Sequence, residues 1–115
     1  MSGYLKEVNI KEDLPTAEDA IRRITFHLRS SKALGVGAIK IIHGYGSTGT
    51  GGKIRSRARQ YLTEQKKSGQ IRDFIPGENF SIFCEDTRAA FRVCPALRED
   101  RDLERHNNGM TIVIL

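Results

Sequence analysis

The feature that most restricts the fold is an alternation of two hydrophobic periods along the chain. Val8-Asn9-Ile10 alternates apolar and polar side chains, as a half-buried strand does. Thr16 then stands three residues before Asp19, an approximate capping box, and Ala17, Ala20, Ile21, Ile24 and Leu28 fall on one face of a helix. Gly35 and Gly37 end that helix, and the isoleucine-rich segment from Ala38 to Ile42 predicts a buried strand. A glycine-rich loop follows. The spacing of Ile54, Ala58, Tyr61 and Leu62 predicts a second helix from near Gly52 to a stop at Gly69. A third strand is expected from Ile71 to Ile75, ended by Pro76-Gly77, then a short extended piece from Phe80 to Phe83. Asp86 to Val93 predicts a helix broken by Pro95. Asn107-Asn108-Gly109 is a turn signal, and Met110 to Leu115 is apolar enough for a last strand buried on both faces. The order β-α-β-α-β-(α)-β predicts an α/β sheet covered by helices, with right-handed crossovers.

Length and composition exclude several classes. A chain of 115 residues predicts one domain, with a core large enough to need no disulfide. Cys84 and Cys94 are too few for a secreted disulfide scaffold and read as two reduced thiols. No apolar run approaches the about 20 residues of a spanning helix, and the N-terminus lacks the apolar stretch of a signal peptide. A cytoplasmic protein is expected, with no membrane partner.

The net charge of +5 is local. Residues 51–72 hold Lys53, Arg55, Arg57, Arg59, Lys66, Lys67 and Arg72 against Glu64 alone, so the rest of the chain is close to neutral. One basic stretch in a near-neutral chain suits a polyanion-facing surface, a solvated helix face being the plainer reading. The basic residues lie on both flanks of the second helix's apolar stripe.

The glycine loop, Gly44 to Gly52, leaves the end of a predicted strand and feeds a helix N-terminus. Glycines let the backbone approach an anion, and the unpaired N–H groups of the helix start point at it. A P-loop is excluded, because Lys53 is followed by Ile54 and Ser47 stands where that motif needs glycine. Gly44-x-Gly46-x-x-Gly49 fits a dinucleotide fingerprint, but on the second strand, and no acid ends the next strand. A nucleic-acid phosphate, with His43, Lys53 and Arg55 around it, suits the basic segment best. A non-catalytic protein-interaction module is the alternative, and a dinucleotide-binding enzyme a distant third.

His43-Gly44-Tyr45-Gly46, the glycines after it and Ile54-Arg55 resemble the Smr (small MutS-related) domain family. That family carries HGxG after its second strand and Leu/Ile-Arg at the start of the next helix. Gly109-Met110-Thr111-Ile112-Val113-Ile114-Leu115 is similar to its closing G-x-T-x-V-x-L strand. The resemblance covers residues 5–75 and 107–115 and leaves 76–106 as an inserted segment with an extra helix, within a single stand-alone domain of residues 1–115. It implies a two-layer sandwich with a mixed four-stranded sheet, similar to the C-terminal domain of translation initiation factor 3. It also implies binding to DNA or RNA and, in some members, endonuclease activity. The family's LDLHG signature is departed from at Val8-Asn9-Ile10-Lys11-Glu12: Asn9 stands for Asp and Lys11 for His.

The expected contacts to nucleic acid are therefore His43, Gly44, Tyr45, Gly46, Lys53, Arg55, Arg59 and Lys11. His43 is the candidate catalytic group, as phosphate donor or general base, or else a strand-end residue that fixes the loop. Lys11 can hold a phosphate but is no base, so binding with weak or no cleavage is expected. His27 reads as structural and His106 as solvated. The acid pairs Glu12-Asp13, Glu85-Asp86 and Glu99-Asp100 suit helix starts and water better than a metal. No metal or cofactor is expected.

Overall fold

Thr16 opens the first helix as its spacing predicts. Its Oγ1 accepts the Asp19 N–H at 3.1 Å, while the Asp19 carboxylate pairs with Arg22 instead of closing the box. The structure is a computed structural model that describes residues 4–13, 16–44 and 49–115, with backbone only for 49–51. Among the described residues the main elements follow in order: β1 (Leu5–Asn9), α1 (Ala17–Ala33), β2 (Ala38–Ile42), α2 (Gly49–Lys67), β3 (Asp73–Pro76), α3 (Glu85–Val93) and β4 (Met110–Ile114). Short 3-10 turns cover Gly77–Asn79 and Pro95–Glu99. No helix among the described residues is long and apolar enough to cross a membrane.

The strands form one mixed sheet in the order β1-β2-β4-β3. β1 pairs parallel to β2, while β4 runs antiparallel to both β2 and β3. The ends of β1, β2 and β3 and the start of β4 therefore meet at one edge of the sheet. β4 is buried throughout, as its composition predicts. Pro76 is tolerated because β3 is an edge strand, where a missing N–H breaks no second ladder.

Alternation along the strands makes two cores. Val8, Ile39, Ile41 and Val113 face α1 and α2, meeting Ile21, Ile24, Leu28, Ile54, Ala58 and Leu62. This is the expected sandwich of sheet and helices. Ala38, Ile75, Met110, Ile112 and Ile114 face the other way, where Phe80, Ala90, Phe91 and Leu97 cover them. The segment 77–105 thus closes the second face. Each of these large apolar side chains contributes roughly 1.5–3 kcal/mol when fully buried.

Several boundaries differ from the sequence reading, β1 for one spanning Leu5–Asn9 rather than Val8 to Ile10. α2 starts at Gly49, three residues before Gly52. The first turn of a helix has no intrahelical N–H bonds to lose, so glycines are tolerated there. β3 starts at Asp73 rather than Ile71, although Arg72 N–H still reaches Ile114 O at 2.9 Å. Phe80 to Phe83 is a turn, not an extended piece. Phe80 plugs the second core, and the Ser81 and Ile82 N–H groups are taken by Thr87 Oγ1 and the Glu104 carboxylate instead of a strand.

Candidate nucleic-acid interface at the glycine loop

The site is built where β1 and β2 end. Ile10 N–H extends the parallel ladder to Ile42 O at 3.0 Å. Asn9 then accepts the Lys11 N–H on its Oδ1 at 2.9 Å, an Asx turn that takes the chain off the strand. Arg23 of α1 clamps that turn by donating to Ile10 O and Glu12 O. The Lys11 stem consequently lies over Gly44: a Cβ at Gly44, whose φ is +79°, would stand 3.4 Å from Lys11 Cδ. Lys11 and the glycine loop, 33 positions apart in sequence, thus share one corner of the fold.

His43 is fully buried. Its Nδ1 lies 2.7 Å from Gly44 O and its Nε2 2.9 Å from Thr111 Oγ1. A carbonyl only accepts, so Nδ1 carries the proton, and Nε2 of the neutral ring accepts from the Thr111 hydroxyl. Burial pulls the His43 pKa down to about 4, and the charges of Arg59 and Arg55 add to the effect. The Gly44 bond and Glu78 oppose it. The ring is therefore neutral at pH 7, with both nitrogens engaged. Through these two bonds the ring ties the end of β2 to Gly44 and to β4. Backbone bonds do the same, since His43 N–H and Gly44 N–H both reach Gly109 O, at 3.0 and 2.9 Å.

Arg59 is engaged within the fold. Its guanidinium forms a two-pronged pair with Glu78, at 2.8 and 2.7 Å, and donates to Asn108 O at 3.4 Å. Burial alone would raise the Glu78 carboxyl, but the Arg59 bonds, with the charges of Arg59 and Arg55, hold it below the usual carboxylate value. Arg59 is a strut between α2 and the turns after β3 and before β4. Arg57 pairs with Glu18 and Lys66 with Asp73. Three of the seven basic residues in 51–72 are thus partnered by acids from outside that stretch. Lys53 and Arg55 form no ion pair among the described residues, nor does Lys11. Tyr45 and Gly46, the other two expected contacts, lie outside the described residues.

Several members of this corner carried little signal in sequence. Gly77 packs so closely on the turn before β4 that a Cβ there would stand 1.8 Å from Asn107 O. Asn107 Oδ1 accepts the Gly109 N–H at 2.9 Å, and His106 Nδ1–H reaches Glu78 O at 3.2 Å from an exposed position. Thr111 was visible only as part of the closing strand. His27 is half-buried on α1. Burial, then the charge of Lys6, lowers its pKa, which fits a structural role. No group of three potential metal ligands occurs among the described residues.

One mixed four-stranded sheet covered by helices, with the ends of β1, β2 and β3 at one edge, defines an α/β domain. The chain belongs to the Smr domain family, whose sequence profile matches residues 14–79. The crystal structure of the Smr domain of Thermus thermophilus MutS2 has the same fold: it superimposes with a TM-score of 0.58 over 96% of each chain, at 21% identity. No curated protein sequence matches this chain.

Proposed function

We propose that the corner formed by Lys11, Gly44, Lys53, Arg55 and the start of α2 binds the phosphate backbone of DNA or RNA. The observation that carries this reading is the placement of Lys11 over Gly44, which joins the end of β1 to the glycine loop. Lys11, Lys53 and Arg55 are the cations there without an acidic partner among the described residues, and the N–H groups at the start of α2 add positive potential. The bonds from Gly109, Thr111 and Gly44 make His43 a positioning residue that holds this backbone, not a phosphate ligand.

Binding without robust cleavage follows. His43 is neutral but buried, and Lys11 occupies the family's first-strand histidine position with a cation that binds phosphate and abstracts no proton. The sheet order speaks against the dinucleotide reading: β2 has a parallel neighbour on one side only, β1, and antiparallel β4 on the other, so the glycine loop does not lie at a switch point flanked by parallel strands on both sides.

The test is fluorescence anisotropy with labelled duplex and single-stranded oligonucleotides over a salt series. Lys53→Glu/Arg55→Glu should weaken binding to all sequences alike, since phosphate contacts carry no base information. Removing one phosphate-binding cation should flatten the log K against log [salt] slope by about 0.9 on duplex and about 0.7 on single strands. Unchanged affinity in the double variant removes the interface from this corner. Robust nicking of supercoiled plasmid by the wild type, abolished by His43→Ala, would overturn binding without cleavage.

A further inference from the structure

The turn between β3 and α3 holds two large apolar side chains out into solvent. Phe83 is 85% exposed and Ile82 48%. Nothing about the turn is loose. Ser81 N–H donates to Thr87 Oγ1, Ile82 N–H to Glu104 Oε2, and Phe83 N–H to Ser81 Oγ, while Ser81 Oγ donates to Glu104 Oε1 at 2.8 Å. The Ile82 and Ser81 bonds hold the Glu104 carboxyl below its usual value, so the acid that anchors the turn is ionised at neutral pH. The backbone that presents Phe83 is fixed before any ligand arrives.

Beside this turn lies a groove of about 530 Å³ lined by Ile82, Arg88, Phe91, Arg92, Arg98 and Leu103. Its walls carry three arginines and no acid. Arg88 is oriented by its bond to Ile82 O at 2.7 Å, and Arg98 lies over the Phe91 ring at 5.3 Å. None of the three forms an ion pair among the described residues, in contrast to Arg57 and Arg59 of α2. Planar guanidiniums without ion pairs, in a groove whose lining residue Ile82 is followed in the chain by the exposed Phe83, suit a ligand that alternates negative charge with flat π surfaces.

We propose that Phe83 and the Arg88–Arg92–Arg98 groove form a second contact region, for single-stranded nucleic acid, with a base stacked on Phe83 and phosphates on the arginines. The inference rests on the reading of the glycine-loop corner as a phosphate site and names the strandedness of its ligand. Topology supports continuity between the two. β2 and β3 run in the same direction, so the chain leaves both strands at one edge, into Gly44 after β2 and into the segment leading to Phe83 after β3. The longest extent of the molecule is 35 Å, within reach of one flexible strand. Bases of a duplex are stacked on each other and have no free face for Phe83. Base–aromatic stacking, by contrast, tolerates any sequence.

The test compares labelled single strands of about 20 nucleotides, within a few binding-site lengths of known single-strand folds, with the matching duplex. Phe83→Ala should lower single-strand affinity roughly tenfold to a hundredfold and leave duplex affinity unchanged. Arg92→Ala should flatten the single-strand salt slope by about 0.7. Thermal melting controls for folding, and the exposure of Phe83 predicts no change in Tm. Equal affinities of Phe83→Ala and wild type for single strands overturn the inference and leave the corner intact. A binding defect in Lys53→Glu/Arg55→Glu alone supports the corner without the groove, and a defect in Phe83→Ala alone the reverse. Displacement of single strands by polyglutamate as effectively as by unlabelled oligonucleotide, at equal charge, assigns the groove to acidic peptides and overturns the nucleic-acid assignment.

Discussion

Replacing Lys40 by methionine should destabilise the fold more than any surface substitution. Lys40 sits in the middle of β2, and its side chain is only 1% exposed. Its Nζ lies 2.9 Å from Asp100 Oδ1 and 2.5 Å from Asp102 Oδ2, carboxylates that are themselves only 9% and 14% exposed. Burial works against the ammonium, but the bonds to Asp102 and Asp100 outweigh it and raise the Lys40 pKa. Asp102 is held low in turn: burial opposes its charge, and the bonds from Lys40 and Asn107 overcome it. Lys40→Met leaves both carboxylates without their cation, and breaking a buried pair from one side costs about 3–5 kcal/mol. Against a total stability of about 5–15 kcal/mol, that is a large share. Urea denaturation followed by circular dichroism measures it. The pH dependence separates the charge from the packing. In the wild type the folded pKa of Asp102 is depressed, so its contribution is complete above the ordinary carboxylate value and is lost as pH falls through the folded value. In Lys40→Met the Asp102 carboxyl keeps its burial and loses its cation, so the variant gains stability relative to wild type as that acid protonates. The gap should be widest at pH 7 and shrink towards pH 3. A difference under about 1 kcal/mol at pH 7, or a gap that does not change with pH, refutes the reasoning.

Gly77→Ala should cost at least the roughly 1–3 kcal/mol of an overpacked core, because the new Cβ meets Asn107 O at 1.8 Å; a Tm equal to wild type contradicts the close approach. Thr111→Val keeps the shape but removes the donor to His43 Nε2, and a loss of about 1–3 kcal/mol is expected, read by the same denaturation curves. His43 has a folded pKa of about 4. Its contribution is present above the unfolded value near 6.5 and is lost as pH falls towards 4, by about 3 kcal/mol in all. His43→Gln should flatten that part of the stability profile, and an unaltered profile would place the titration elsewhere.

The strand–helix alternation, the N-cap at Thr16 and the doubly buried last strand were legible because they rest on local periodicity and on the chemistry of neighbouring residues. Each needs only a few consecutive side chains to be read. The proposed phosphate corner rests in part on the same kind of signal, since glycines and cations are local in sequence. The strandless turn at Phe80–Phe83 was not legible, because Glu104, 22 positions beyond Ile82, and Thr87 of α3 take its hydrogen-bonding groups.

The sequence by itself determined the elements, the glycine loop and an excess of positive charge on α2. Only the tertiary structure decided which of those charges are unpaired. Glu18, Glu78 and Asp73 come from other elements to partner Arg57, Arg59 and Lys66, whereas Lys53 and Arg55 form no ion pair among the described residues. It likewise decided that His43 is a buried neutral ring bonded to Thr111, 68 positions away, rather than an exposed ligand. The reason is physical. Periodicity reports which face of an element is apolar, but burial and ion pairing depend on what the other elements bring to that face. For His43 the partner is set by the antiparallel pairing of β4 with β2, which brings Thr111 to the ring.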